Sequence, residues 1–355
     1  MSYTLNEEFL QKILDIPRAT GYEMSAQKTL KEYLAKNVDK IEVDRVGNLF
    51  SIINPESPIK VMLAGHMDQI GFQISHIDEN GFLWFLPLGG FDTATLPGQR
   101  VKVVNQKGEI IFGAIGKKAV HLQKPEERKK APELEKLYID IGCKNKEEAE
   151  KLVEVGDFAV YYNPYQRLGN HRYAMSAGFD DAIGAFIVAE IMKELGKDKN
   201  FFAGVYGVST VQEEIGLRGA IVAANKLQPE VAIAFDVGFA SDVPEVEAKE
   251  VGDVKLGGGP AISVGPNLNP VVTRRLMSIA KELNIPVQTV PANRGTGTDA
   301  NALQLAGAAT ALISIPNRYM HTASEVISLD DVENIVKLSV AFIRSITKED
   351  TFLPY

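Results

Sequence analysis

A single cysteine, Cys143, leaves no partner for an intrachain disulfide, which fits a reducing, cytoplasmic setting. Long apolar runs are missing as well. None reaches the roughly 18 residues of a membrane span, and the polar opening from Ser2 to Glu8 gives no sign of a leader peptide. Basic blocks are scarce. The densest, Glu126-Glu127-Arg128-Lys129-Lys130, reads as a solvated loop, and a net charge of -8 argues against a nucleic-acid partner. No internal repeat and no low-complexity segment interrupts the chain. What remains is ordinary globular composition, 45% hydrophobic and 24% charged, in 355 residues that suit one large domain or two unequal ones.

Two textures alternate along the chain. Phe9, Leu10, Ile13 and Leu14 recur at helical spacing before Pro17, and Ser25 to Leu34 is a second helix. Ile41–Asp44 and Asn48–Ile53 read as strands. Ile59–Ala64 is nearly all apolar, as in a sheet covered on both faces, and ends in Gly65-His66-Met67-Asp68. From Ile70 to about Tyr165 short alternating runs are broken by Glu79-Asn80-Gly81, Leu88-Gly89-Gly90, Pro97-Gly98 and Gln106-Lys107-Gly108. That spacing predicts a small β-barrel or sandwich inserted at residues 70–165, with a helix from Lys144 to Val153 and a last strand at Phe158–Tyr161. Residues 1–69 and 166–355 then form one α/β domain. Its later parts are a helix from Asp181 to Leu195, a strand from Phe201 to Val208, a helix from Leu217 to Lys226 and a strand from Val231 to Asp236. A helix from Asp299 to Leu305, a strand from Ala309 to Ile313 and a closing helix from Leu329 to Ile346 follow. Ser328 is the expected N-cap of that last helix, with Asp331 near N3.

Metal-ligand residue types stand where strands hand over to loops. They are His66, Asp180, the Glu213-Glu214 pair, Asp236 and His321. In a parallel sheet such ends gather on one edge. Each residue alone has a plainer reading. An isolated Glu-Glu pair is usually a solvated one, and Asp181 beside Asp180 can simply favour a helix N-terminus. The other histidines, His76, His121 and His171, lie in or near the inserted region. Asp236 is harder to dismiss, because a carboxylate after five apolar residues is costly unless paired or bound to a cation. Together the imidazoles and carboxylates make an N/O set suited to two divalent ions, zinc or cobalt first and manganese next. A carboxylate bridging two ions leaves each an open position for water. Of Glu213 and Glu214, one can bind a cation while the other handles protons. Asp68, two residues after His66, is placed to orient the imidazole.

Gly65-His66-Met67-Asp68, Phe179-Asp180-Asp181, Gln212-Glu213-Glu214-Ile215-Gly216-Leu217-Arg218-Gly219, Phe235-Asp236 and Met320-His321 resemble the glutamyl/deblocking aminopeptidase family of dinuclear metallopeptidases, which includes the TET aminopeptidases. The resemblance covers essentially the whole chain. It implies a zinc-exopeptidase-like α/β fold with a mixed, mostly parallel sheet covered by helices, and an inserted barrel used for dimerisation. It further implies that His66 and Asp236 hold one ion, Glu214 and His321 the other, that Asp180 bridges them, and that Glu213 is the general base. The expected activity is removal of N-terminal residues from peptides by a metal-activated water, in a homo-oligomer that builds from dimers to a dodecamer. The chain departs from the family's usual pattern at Ala182 after Asp180-Asp181, at Lys118-Ala119-Val120 before His121, and at Thr296-Gly297-Thr298-Asp299. None of these is a metal position.

Other reactions are open to the same residues. A deacylase acting on N-acyl amino acids would use the same chemistry. An endoglucanase would need two carboxylates flanking the bond about 5–9.5 Å apart, which adjacent Glu213 and Glu214 suit poorly. An inactive oligomeric scaffold would not need every ligand position filled.

Overall fold

The computed structural model describes residues 3–169 and 172–354, so His171 lies outside the described residues. An eleven-stranded mixed sheet carries four central parallel strands, in the order Gly204–Thr210, Lys60–His66, Val231–Phe239 and Ala309–Arg318. Antiparallel strands flank them. Leu49–Ile53 and Lys40–Val43 lie on one side. Glu325–Ser328, Tyr173–Ser176 and Gln166–Leu168 lie on the other. Ala261–Val264 branches from Ala309–Arg318 and pairs in turn with Gln288–Pro291.

The apolar runs explain why the parallel strands sit in the middle. In Lys60–His66 the side chains of Val61 and Leu63 enter one core, while Met62 and Ala64 enter another on the opposite face. Helices cover both faces: Phe179–Lys197, Leu329–Arg344, Pro270–Glu282, Glu7–Asp15 and Met24–Leu34 on the first, Arg218–Leu227 and Asp299–Leu305 on the second.

A closed barrel joins Gly71–Ile77, Leu83–Leu88, Tyr138–Asp140, Ile110–Gly116, Arg100–Val104 and Phe158–Tyr161. It has its own apolar interior, where Phe72 meets Phe85, Phe91 and Tyr161. Of the four turn signals read from the sequence, three fall between strands and Leu88-Gly89-Gly90 begins on the last residue of one.

Several elements differ from the expectation. The strand predicted from Phe201 starts at Gly204, because Asp198 turns the preceding residues by accepting from the Asn200 amide at 3.1 Å. The strand predicted to stop at Ile313 continues to Arg318, paired with Val231–Phe239 as far as Asn317. The helix expected over Lys144–Val153 is the single turn Lys146–Glu150, which Asn145 caps. Ser328 does precede the last helix, but its side chain makes no capping bond. Asp331 turns away and accepts from the Gly257 and Gly259 amides, each at 2.8 Å.

One contact locks the helix Phe179–Lys197 onto the strand that carries His66. A Cβ on Gly65 would lie 2.3 Å from the carbonyl carbon of Gly184, so strand and helix touch backbone to backbone. Any side chain there must push them apart, and overpacking of this kind costs about 1–3 kcal/mol. Gly65→Ala is therefore expected to lower the urea-unfolding free energy by about that amount. A variant as stable as its parent would show that the two elements can separate freely.

Candidate metal centre

Three of the predicted residues reach the site directly from strand ends or the turn after one. His66 is the last residue of its strand, Asp236 lies near the end of the neighbouring one, and His321 follows Ala309–Arg318 in a turn where it adopts φ 61°. Glu213 and Glu214 sit past Thr210 in a loop tied by its own backbone. The Gly216 and Leu217 amides donate to the Glu213 carbonyl at 2.9 Å, and the Gly219 amide to that of Val211 at 2.9 Å. Asp180 and Asp181 share a cis peptide bond and have non-helical backbone angles, so the regular helix begins after them. The Asp181 carboxylate accepts from the Gly184 amide at 3.0 Å and from the His66 amide at 3.1 Å. It thus caps the helix, as its position suggests, and also fixes the His66 backbone.

All the predicted residues converge. Asp180 stands between the imidazoles, its Oδ1 3.2 Å from His66 Nε2 and its Oδ2 3.1 Å from His321 Nε2. His66 Nε2 is also 3.8 Å from both Glu213 Oε2 and Asp236 Oδ1, and His321 Nε2 is 3.6 Å from Glu214 Oε2. Among the described residues, two groups of side chains are close enough to share an ion: His66, Glu213 and Asp236, and His66, Asp180 and Glu214. His321 stands just outside both, at the mouth, with its side chain 36% exposed. Its Nδ1 is fixed by the Gly90 carbonyl at 3.0 Å, so the segment after Leu83–Leu88 in the barrel helps aim a main-sheet histidine. A cleft of about 770 Å³ opens over these groups.

Asp68 does more than orient an imidazole. Its backbone carbonyl lies 3.0 Å from His66 Nδ1, whereas its carboxylate is 3.5 Å away. That carboxylate accepts from the amides of Glu213 and Glu214, each at 3.1 Å. Burial raises its pKa, but His66 and these two amides outweigh burial and hold it below the usual carboxylate range. Asp68 therefore presents both glutamates while remaining ionised.

Two contributors were not read from the sequence. Glu325, fully buried, accepts from the Asp180 amide at 3.0 Å and from the His321 amide at 3.1 Å. The only signal for it is a carboxylate four residues after His321, just ahead of the apolar pair Val326 and Ile327. Arg18 is completely buried and donates to the carbonyls of Gly178 and Ile16. Burial pulls its pKa down to about 10, with Glu325, Asp68 and Asp181 opposing, so it keeps its charge at neutral pH. Nothing in its local sequence marks it.

The donor set fits divalent cations. Burial pushes the Glu214 carboxyl up to about 9, with Asp180 adding to it and the imidazoles opposing; Glu213 rises to about 8 by burial, with Asp299 and Asp180 adding and His66 opposing. Asp236 is driven well above its usual range by burial and Asp181. Glu214 Oε1 is buried without a hydrogen-bond partner. Carboxylates crowded this way stay ionised only with more positive charge among them than two imidazoles bring.

The profile of the M42 glutamyl aminopeptidase family matches residues 47–338. The chain belongs to that family. It is a metal-dependent aminopeptidase, a peptide hydrolase. Similar proteins include the lysyl aminopeptidase of Pyrococcus furiosus, 37% identical over 348 residues that cover 97% of this chain and 98% of that one. Among solved structures, the TET aminopeptidase of the marine sediment archaeon Thaumarchaeota archaeon SCGC AB-539-E09 superimposes with a TM-score of 0.91. It is 34% identical and covers 97% of each chain. The TET1 peptidase of Pyrococcus horikoshii, described as assembling into a tetrahedron or a large octahedral shell, has a TM-score of 0.85. It is 33% identical and covers 96% of this chain and 99% of that one.

Because Glu325 holds both Asp180 and His321 by their backbones, it tests the site without being one of the converging side chains. Glu325→Gln turns one acceptor oxygen into an NH2 group facing an amide. In this M42 aminopeptidase the change should weaken divalent-ion binding by about 10–100-fold, measured by metal titration. Unchanged affinity would show that the two backbones hold their places without it.

Proposed function

We propose that this chain holds two divalent ions and uses them to remove N-terminal residues from peptides. In this reading His66 and Asp236 hold one ion, Glu214 and His321 hold the other, and Asp180 lies between. The observation that carries it is the Asp180 carboxylate, which turns one oxygen toward each imidazole. Nitrogen and carboxylate donors suit zinc or cobalt, with manganese next. Bound there, such ions act as Lewis acids and lower the pKa of water toward about 7.

Glu213 is the proton carrier. It is buried beside His66, and among the described residues its carboxylate accepts no hydrogen bond, which leaves it free to take and give a proton. It accepts the proton of the attacking water and returns it to the departing amine. Asp68 holds Glu213 and Glu214 at their amides, so the two side chains diverge from one anchored backbone. The division of roles can be measured. Glu213→Gln should cut turnover by about 10²–10⁴-fold with both metals retained, while Glu214→Gln should lower metal content. Metal loss in the first variant and retention in the second would reverse the pair.

The unit at residues 70–165 is proposed as a separate domain through which copies dimerise and build a larger assembly, up to a dodecamer. Its closed barrel and separate core support this, as does the shell formation described for the Pyrococcus horikoshii protein. Light scattering at micromolar concentration should show a homo-oligomer; monomer alone would sink the claim. The lone Cys143 favours a cytoplasmic setting. No helix among the described residues is long and apolar enough to cross a membrane.

A further inference from the structure

The cleft extends beyond the metal-binding residues into a recess on the same face of the sheet. In the ladder, Asp236 of Val231–Phe239 is opposite Ser314, and Ser314 is opposite Ala261. Residues in one row of a sheet share a face, so Ser314 and Ala261 continue the floor sideways from Asp236. The next row is built the same way. Ala234 is opposite Leu312, and Ser263, two residues after Ala261 in the branching strand, is opposite Val290. Ala261, Ser263, Val290, Leu312 and Ser314 all line the cleft.

The small side chains on this floor make depth. Ala261, Ser263 and Ser314 are themselves buried, and Leu312 joins the floor to the apolar core on the same face. Val254, also buried, adds another apolar wall. Among the described residues, the only ionisable side chains lining the whole cleft are His66, Asp180, Glu213, Glu214, Asp236 and His321, which all converge at the candidate metal centre. The recess therefore offers a side chain apolar surface, neutral hydroxyls and the carboxamides of Asn293 and Asn301, and no counter-charge.

We propose that this recess receives the side chain of the substrate's N-terminal residue and selects an uncharged, aliphatic one, such as leucine or methionine. The proposal rests on the peptidase reading of the centre. A scissile bond placed over Asp180 and Asp236 puts the residue ahead of it beside Ser314 and Ala261, the nearest row of the floor. A lysyl ammonium or a glutamyl carboxylate entering the recess would lose water and find only neutral partners and no counter-charge, which disfavours it. An aliphatic side chain meets complementary surface and gains from burial.

The test compares kcat/KM on aminoacyl p-nitroanilides of leucine, methionine, alanine, lysine and glutamate, with the metal-loaded full chain. Leucine and methionine should exceed lysine and glutamate by about 10–100-fold. Ser263→Asp places a carboxylate in the floor and should raise the lysine-to-leucine ratio by about tenfold or more. Ser263→Val fills part of the recess with no new charge and should lower the leucine-to-alanine ratio, so one informative variant remains if the aspartate is not tolerated. Binding supplies a second readout: leucinamide should raise the melting temperature of the metal-loaded protein more than lysinamide does. A parent enzyme that prefers lysine or glutamate overturns the recess assignment while leaving peptide hydrolysis standing, and so do ratios that neither variant moves. Failure to release any amino acid, with both metals demonstrably bound, would instead remove the peptidase reading itself.

Discussion

Burying many carboxylates in one place is the constraint on which the rest of this molecule depends. Asp68, Asp180, Asp181, Glu213, Glu214, Asp236 and Glu325 all crowd around His66 and His321, where like charges repel in a medium that screens them weakly. The chain treats them in two ways. Asp68, Asp181 and Glu325 receive backbone amides, which stabilise negative charge and at the same time fix loops. Among the described residues, the carboxylates of Asp180, Glu213, Glu214 and Asp236 receive no backbone amide, and these are the groups that converge on the two imidazoles. The division between the carboxylates that fix loops and those proposed to bind or carry protons thus follows which oxygens the backbone occupies.

The central sheet makes this crowding possible. Parallel strands end on the same edge, so residues far apart in sequence arrive together without long loops of their own. The Gly65–Gly184 contact sets the strand carrying His66 against the helix that follows Asp180. Asp181 then reaches from that helix to the His66 amide, and Asp68 reaches from the strand's end to the glutamate loop. His66, Asp180, Glu213 and Glu214 are in effect parts of one braced unit. His321 is the outlier. It is aimed by Gly90, which lies beyond the Leu83–Leu88 strand of the barrel, so the barrel's placement bears on the centre.

Much of this was legible in the sequence, for identifiable reasons. Uninterrupted apolar runs such as Ile59–Ala64 announce strands covered on both faces, and ligand-type residues at their ends announce a site. Turn residues at short spacing announced the barrel. What stayed hidden depends on contacts between distant segments. Glu325 and Arg18 act on backbone groups more than a hundred residues away, and no local pattern records such a target. The start of Gly204–Thr210 was missed because Phe201 and Phe202 look like strand residues, while Asp198 decides the turn. Asp331 sits where a capping residue belongs, yet its partners are glycine amides brought near only by the fold.

The sheet also separates two duties that many enzymes place on the same loop. The groups that converge on the centre come from the middle strands and the loops at their ends, whereas Ala261, Ser263 and Val290 lie on a side branch that touches the main path only through Ala309–Arg318. Replacements on the branch can reshape the recess while the braced unit stays as it is. Under the proposed role of the recess, what the enzyme prefers to cut and how it cuts are written in separate parts of the sheet.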